Sequence, residues 1–226
     1  MRLYPLDTKI GLRVKNNAAE FLKGYTTNTL DAPRNAFVTI RGQIVCTFDQ
    51  MAVSPEKVLI VIERKYLDRL LVHLDPYLKL GDTVIEKAPE FHLYFDLDDA
   101  HEPQRGEIFV IQKKGKLIGT TQALKSNVSE QEYTLFRLKN RMPVQGIDYD
   151  EELLLNVANE EFVSYTKGCY LGQEIIARVH HRSKPPKKLV VKSPDQCSKE
   201  EASRMTSKSV DPATGKTLGF VFIANE

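Results

Sequence analysis

The stretch Lys57-Val-Leu-Ile-Val-Ile62 runs straight into a second pattern, in which Tyr66, Leu67, Leu70, Leu71, Leu74, Tyr77 and Leu78 recur at spacings of three and four. The first is a fully apolar strand and the second an amphipathic helix ending before Gly81. A chain built on this pair must make a sheet with a helix packed against it. The apolar run from Val58 to Ile62 is typical of the longest in the chain, far short of the roughly 20 residues of a membrane helix. No membrane span is expected.

The surrounding sequence supplies more of the same kinds of element. Lys9 to Val14 reads as a strand, and Asn17-Ala-Ala-Glu20 as a capping box opening a helix through Phe21 and Leu22, with a turn at Gly24. Ala36 to Phe48 has strand composition on both sides of Arg41-Gly42, a hairpin. Strands are predicted over Thr83 to Glu86, Phe91 to Phe95, Glu107 to Ile111 and Leu117 to Thr121. A second capping box, Ser129-Glu-Gln-Glu132, opens a helix whose apolar face is Tyr133, Leu135, Phe136 and Leu138. In Ser183-Lys-Pro-Pro-Lys-Lys188 two prolines end a helix and stiffen a linker. Beyond it, Lys188 to Lys192 and Lys216 to Ile223 read as strands, with a turn at Asp211-Pro-Ala-Thr-Gly215. Neither G-x-G-x-x-G nor G-x-x-x-x-G-K-S/T occurs, so the class is α+β without a nucleotide-binding loop.

Composition narrows the function classes. With 42% hydrophobic and 27% charged residues over 226 positions, the chain has the makings of a core and is no disordered tail. Met1-Arg-Leu-Tyr-Pro-Leu-Asp7 has no signal-peptide apolar region and carries an early acid, so a cytoplasmic protein is expected. Cys46, Cys169 and Cys197 include no C-x-x-C pair; neither a disulfide scaffold nor a resident metal or iron-sulfur site is predicted. The net charge of +2 is uninformative, but Arg178, Arg182, Lys184, Lys187, Lys188 and Lys192 fall between Ile175 and Pro194 with no acid among them. That segment reads either as a solvated helix end and linker or as an anion site. The acidic group Glu90, Asp96, Asp98, Asp99 and Glu102 reads as solvated surface.

The most specific stretch is Thr166-Lys-Gly-Cys169-Tyr-Leu-Gly-Gln-Glu174-Ile-Ile-Ala-Arg178, which sets a cysteine on a glycine-flanked turn just ahead of a helix. The glycines permit left-handed backbone, and the free N–H groups of a helix start, with Lys167 nearby, favour an anion or thiolate. An exposed thiol there should have a lowered pKa and be reactive, whereas the bland alternative for a single cysteine is burial as a small hydrophobe. Lys167-Gly168-Cys169-Tyr170-x-Gly172-Gln173-Glu174 with Ala177-Arg178 resembles the signature of the YgfZ family, folate-binding proteins of iron-sulfur cluster assembly related to the glycine-cleavage T-protein. Phe21-Leu-Lys-Gly24 with Thr27-Asn28, Arg141-Met-Pro-Val-Gln-Gly-Ile-Asp148, Thr206-Ser207 and Gly215-Lys-Thr-Leu-Gly219 are similar to further blocks of that family.

The resemblance implies a fold and a site. The fold is a T-protein-like body of two interleaved ferredoxin-like lobes over residues 1–183, with 51–118 as the inserted lobe, and a small, shortened β-barrel over 184–226. Cys169 and Lys167 match the functionally sensitive positions. Thr27, Asn28, Asp49, Lys167, Gly168, Tyr170, Gln173, Glu174 and Arg178 are implied as tetrahydrofolate-binding, the ligand being tetrahydrofolate or a one-carbon derivative. The Lys167 to Glu174 loop would line the pocket, Arg178 and Lys184 would attract a glutamate tail, and Tyr170 either flanks the pterin or packs in the core. The chain departs from the family at Tyr25, Thr29 and Cys46-Thr47; Asp49, facing the same side of a strand as Thr47, stands in for the acid that meets the folate amine in T-protein relatives.

Three functions compete. One is a folate-dependent factor assembling, maintaining or repairing iron-sulfur enzymes, a context that extends to tRNA modification, with client enzymes or assembly factors as partners. The second is an aminomethyltransferase moving a one-carbon unit to tetrahydrofolate. The third, an RNA-binding module on the 178–192 stripe, ranks last because that stripe lacks interleaved aromatics for base stacking. His180-His181 suggests metal, but neighbours on a helix point about 100° apart, and capping or solvent-facing roles are expected.

Overall fold

The computed structural model describes residues 1–157 and 161–225. Twelve strands and six helices alternate in these residues: β1 (Leu3–Pro5), β2 (Lys9–Lys15), α1 (Ala18–Tyr25), β3 (Arg34–Val38), β4 (Ile44–Ser54), β5 (Lys57–Glu63), α2 (Leu67–Leu78), β6 (Val84–Lys87), β7 (His92–Asp96), β8 (Ile108–Ile111), β9 (Lys116–Thr120), α3 (Glu130–Asn140), α4 (Leu154–Val157), α5 (Gln173–Arg182), β10 (Lys187–Lys192), α6 (Lys199–Ser203), β11 (Thr206–Val210) and β12 (Thr217–Ala224).

A five-stranded antiparallel sheet, in the order β3-β4-β5-β2-β6, forms the centre. Strand β5 is interior to it and buried on both faces. Val58, Ile60 and Ile62 meet Leu22 of α1 and Leu70 and Leu74 of α2 on one side. On the other, Val61 packs with Leu93, Phe95 and Leu117, and Leu59 with Ala88 and Ile108. This double burial is why the run from Val58 to Ile62 carries no polar alternation. The second layer is a four-stranded antiparallel sheet, β1-β7-β9-β8, whose edge strand β1 comes from the extreme N-terminus and pairs Leu3 with Asp96. Helix α3 lays Tyr133 against this layer, stacked on Tyr4 with centroids 4.1 Å apart.

The third sheet, β10-β12-β11, is antiparallel and open. A small barrel was expected here; among the described residues no closed barrel forms, because three short strands cannot curl round to meet. The sheet instead leans on the body, with Leu189 and Phe222 packed against a core that includes Leu154, Phe162 and Ile176.

The capping box expected at α3 is present. The Ser129 hydroxyl accepts the Glu132 N–H at 3.3 Å, and the Glu132 carboxylate accepts the Ser129 N–H at 2.8 Å. The one expected at α1 is absent. Asn17 has φ +52°, outside the extended region that aims a cap side chain at the helix start, and its own N–H is taken by Glu56 at 2.8 Å. Helix α1 also runs past the turn expected at Gly24, to Tyr25.

Candidate functional site

The signature loop is sewn down on both sides of its cysteine. Ahead of α5, Gly172 adopts φ +84°, and a Cβ there would lie 2.4 Å from the Thr39 carbonyl oxygen, so only glycine can pass the β3–β4 turn. The Leu171 N–H donates to the Gly24 carbonyl at 3.0 Å, tying the loop to α1. Lys167 reaches the same helix exit: its Nζ donates to the carbonyls of Thr26 at 2.6 Å and Asn28 at 3.0 Å, 5.0 Å from the Tyr170 ring centroid. Burial, helped by the charge of Lys23, lowers the Lys167 ammonium to about 8. Between these anchors Cys169 is exposed, whereas Cys46 is wholly buried and its thiol pushed up to about 12 by that burial.

The other residues implied for the site divide by role. Tyr170 is buried and packs in the core with Ile176, the bland alternative of its two readings. Thr27 is fully buried, its hydroxyl donating to the Phe162 carbonyl at 2.5 Å. Asn28 donates from Nδ2 to the carbonyls of Arg34 at 3.1 Å and Glu161 at 3.0 Å. Both residues therefore brace the backbone under the loop. Gly168 is exposed with open space around it, Gln173 is half-buried, and Glu174 pairs with Arg178 at 3.1 Å on the solvent face of α5. In the basic stripe, Lys187 pairs with Glu152 at 2.8 Å and Lys192 donates to the Gln196 carbonyl at 3.4 Å. His180 stacks on Tyr165 with centroids 3.6 Å apart, and no cluster of three metal-ligating side chains occurs among the described residues.

Asp49 lies elsewhere, in the centre of the molecule. It is a register partner of Arg34 on β3, and, as strand alternation requires, it lines the same cavity as Thr47. Two neighbouring cavities of about 30 and 20 Å³ share Lys9, Arg34, Asp49, Pro143 and Val144; the larger adds Gln112, Tyr133 and Arg137, the smaller Glu63 and Tyr149. None of residues 167–174 lines either one. The Asp49 carboxylate accepts from Gln112 Nε2 at 2.6 Å, with Arg34 Nε 3.6 Å and Lys9 Nζ 3.8 Å away. Lys9 pairs with Glu63 at 2.9 Å. Burial alone would lower its pKa, but the Glu63 and Asp49 carboxylates outweigh that and hold the ammonium above its usual range. Burial pushes the Tyr133 and Tyr149 phenols up to about 12, so both stay protonated donors at neutral pH.

Loop and cavity are joined through Asn28. Its carbonyl takes Lys167, its side chain holds the Arg34 carbonyl, and the Arg34 guanidinium pairs with Glu161 at 2.6 Å over the Phe162 ring. The cavity's chemistry suits a pterin: a buried carboxylate for an N–H edge, aromatic walls, and a buried Arg34 Nε without a hydrogen-bond partner. Its volume does not. About 30 Å³ is room for a water molecule, not a bicyclic ring. Sequence reasoning missed Lys9, Arg34, Gln112 and Tyr133; the available signal was charge on strands otherwise apolar, Lys9 and Arg34 above all.

No family model matches the chain. It is 24% identical over 234 aligned positions to "Iron-sulfur cluster assembly factor IBA57, mitochondrial" of Mus musculus, covering 82% of this chain and 64% of that one. It is 26% identical over 220 positions to the IBA57 homolog of Neurospora crassa, covering 77% and 49%, and 36% identical over 72 positions to that of Mycosarcoma maydis, covering 30% and 18%. The chain thus spans less than two thirds of the length of each of these curated relatives. Among solved structures, the glycine cleavage system aminomethyltransferase T from Bartonella henselae superposes with a TM-score of 0.72 at 12% identity, over 98% of this chain and 78% of that one. The mixed α/β fold is that of the aminomethyltransferase, and the resemblance to the YgfZ family drawn from the Cys169 signature is borne out.

Proposed function

We propose that this protein is an iron-sulfur cluster assembly or maintenance factor whose working group is the Cys169 thiol, with tetrahydrofolate or a one-carbon derivative as the ligand that the family resemblance implies. The exposure of Cys169 on a backbone pinned at Lys167, Leu171 and Gly172 carries this reading. A cysteine kept only for packing is buried, as Cys46 is. A solvent-facing thiol at a fixed place can meet a cluster or a thiol on another protein, the cluster being cargo. The names of the relatives point the same way. Lys167 and Asn28 tie the loop to the Asp49 cluster through the Arg34 carbonyl. In cells lacking the native protein, Cys169→Ala should lower the activity of iron-sulfur client enzymes without lowering the abundance of the variant. Full client activity would overturn the reading.

The shared fold gives an aminomethyltransferase as the second reading. That enzyme accepts a lipoyl-bound aminomethyl group and has no evident use for an exposed cysteine. Formation of methylenetetrahydrofolate from a lipoylated carrier would establish it.

A further inference from the structure

The turn between β3 and β4 holds two exposed residues rigidly beside the Cys169 loop. The Gly42 N–H donates to the Thr39 carbonyl at 2.9 Å, the Thr39 N–H to the Gln43 carbonyl at 2.9 Å, and the Thr39 hydroxyl accepts the Arg41 N–H at 3.2 Å. At the tip Ile40 is 68% exposed and Arg41 stands in solvent. One exposed isoleucine is ordinary on a surface; the setting of this one is not. The turn abuts the start of α5 just after Cys169: a Cβ on Gly172 would fall against the Thr39 carbonyl, and a Cβ on Gly42 would lie 3.4 Å from both Ile175 and Ile176.

Charge on this face is one-sided. Arg178 and Arg182 follow Ile175 by three and seven positions, so helix periodicity sets them on the flank of α5 nearest the turn, and both are exposed. The acids close by are already answered: Glu174 by Arg178 at 3.1 Å, Glu151 by Arg69 and Glu152 by Lys187, each at 2.8 Å. Arg41 and Arg182 have no acidic partner among the described residues. The face thus sets an apolar point and the exposed Cys169 among cations left over after local pairing.

An apolar anchor on a rigid turn, rimmed by unpaired arginines, fits a protein surface that carries carboxylates: the anchor gives affinity at little ordering cost, and the rim steers and orients the encounter. Nucleic acid fits less well. Strand binding interleaves aromatic rings with the cations, whereas the ring on α5, His180, is closed against Tyr165 with centroids 3.6 Å apart and leaves no room for a base between them. We infer that the β3–β4 turn and the adjoining flank of α5 dock an acidic partner protein, with Ile40 seated on an apolar spot of that partner and Arg41 and Arg182 meeting its carboxylates. Docking there brings the partner to Cys169. The inference rests on the Cys169 reading for what the partner does at the thiol, and not on the folate.

The test uses the full chain in cells lacking the native protein, with the apolar photocrosslinker p-benzoylphenylalanine in place of Ile40, alone and combined with Arg41→Glu/Arg182→Glu. Irradiation should yield a protein adduct whose crosslinked peptide carries net negative charge. That adduct should be about tenfold weaker or more in the charge-reversed form and recovered with Arg41→Lys/Arg182→Lys, which also controls for folding. Without the crosslinker, Arg41→Glu/Arg182→Glu should lower client-enzyme activity as Cys169→Ala does, at unchanged abundance. Client activity lost in Cys169→Ala and kept in the charge-reversed variant would overturn the docking face and leave the Cys169 reading standing. Full activity in both would end both. A nuclease-sensitive adduct, an adduct indifferent to charge reversal, or no adduct at all would also overturn it.

Discussion

Gly172 and Lys167 show how single residues fix the candidate site. Gly172→Ala must place a methyl group into the Thr39 carbonyl at a positive φ, and should cost on the order of 2 kcal/mol or more of stability, read from urea unfolding. Lys167 gives a pH signature. Its pKa in the fold is about 8, below the ordinary lysine value, so the folded protein gives up this proton before the unfolded chain does. Stability from this group is therefore lowest and flat below about pH 8, then rises until the unfolded lysine also titrates. Unfolding curves from pH 7 to 11 should show that rise in the wild type and lack it in Lys167→Met; parallel curves would refute it. At this scale the sequence was legible where the chemistry is local. Cys169, Lys167 and Gly172 lie within six residues of one another. The Asp49 cluster was not, because Lys9, Arg34, Glu63 and Gln112 meet it from four separate segments.

Elements were legible in proportion to their length and periodicity. The stripe from Leu67 to Leu78 became α2 and the apolar run became β5, since both patterns are set by burial along a whole element. Strand β1, of three residues, was missed because it is too short to show alternation, and β11, Thr-Ser-Lys-Ser-Val, because it is polar and a register shift interrupts its pairing. The two capping boxes make a controlled pair. Ser129→Ala removes a cap that is made and should cost about 1 kcal/mol, while Asn17→Ala removes none and should cost less, its left-handed backbone being the sole penalty. Thermal melts of the two variants decide this; equal losses would show that Asn17 caps α1 in solution.

At the scale of the molecule, the terminal sheet is fastened to the body by one buried polar knot. Arg137 of α3 pairs with Asp148 at 2.7 Å, Asp148 accepts from the Thr206 hydroxyl at 2.9 Å, and Arg137 donates to Ser207 at 2.9 Å. The family-like blocks at 141–148 and 206–207, far apart in sequence, meet here; their resemblance was legible and their contact was not, since nothing local encodes it. Asp148→Ala leaves the Arg137 charge buried and unpaired, and should cost about 3–5 kcal/mol and open the 183–188 linker to limited proteolysis. Unchanged resistance to protease would refute the fastening. Strand β1 closes the second sheet from the other end of the chain. On a ribosome Leu3 to Pro5 must stay unpaired until the strand holding Tyr94 to Asp96, far downstream, has emerged, so the layer that walls the Asp49 cavity waits on a contact between distant segments.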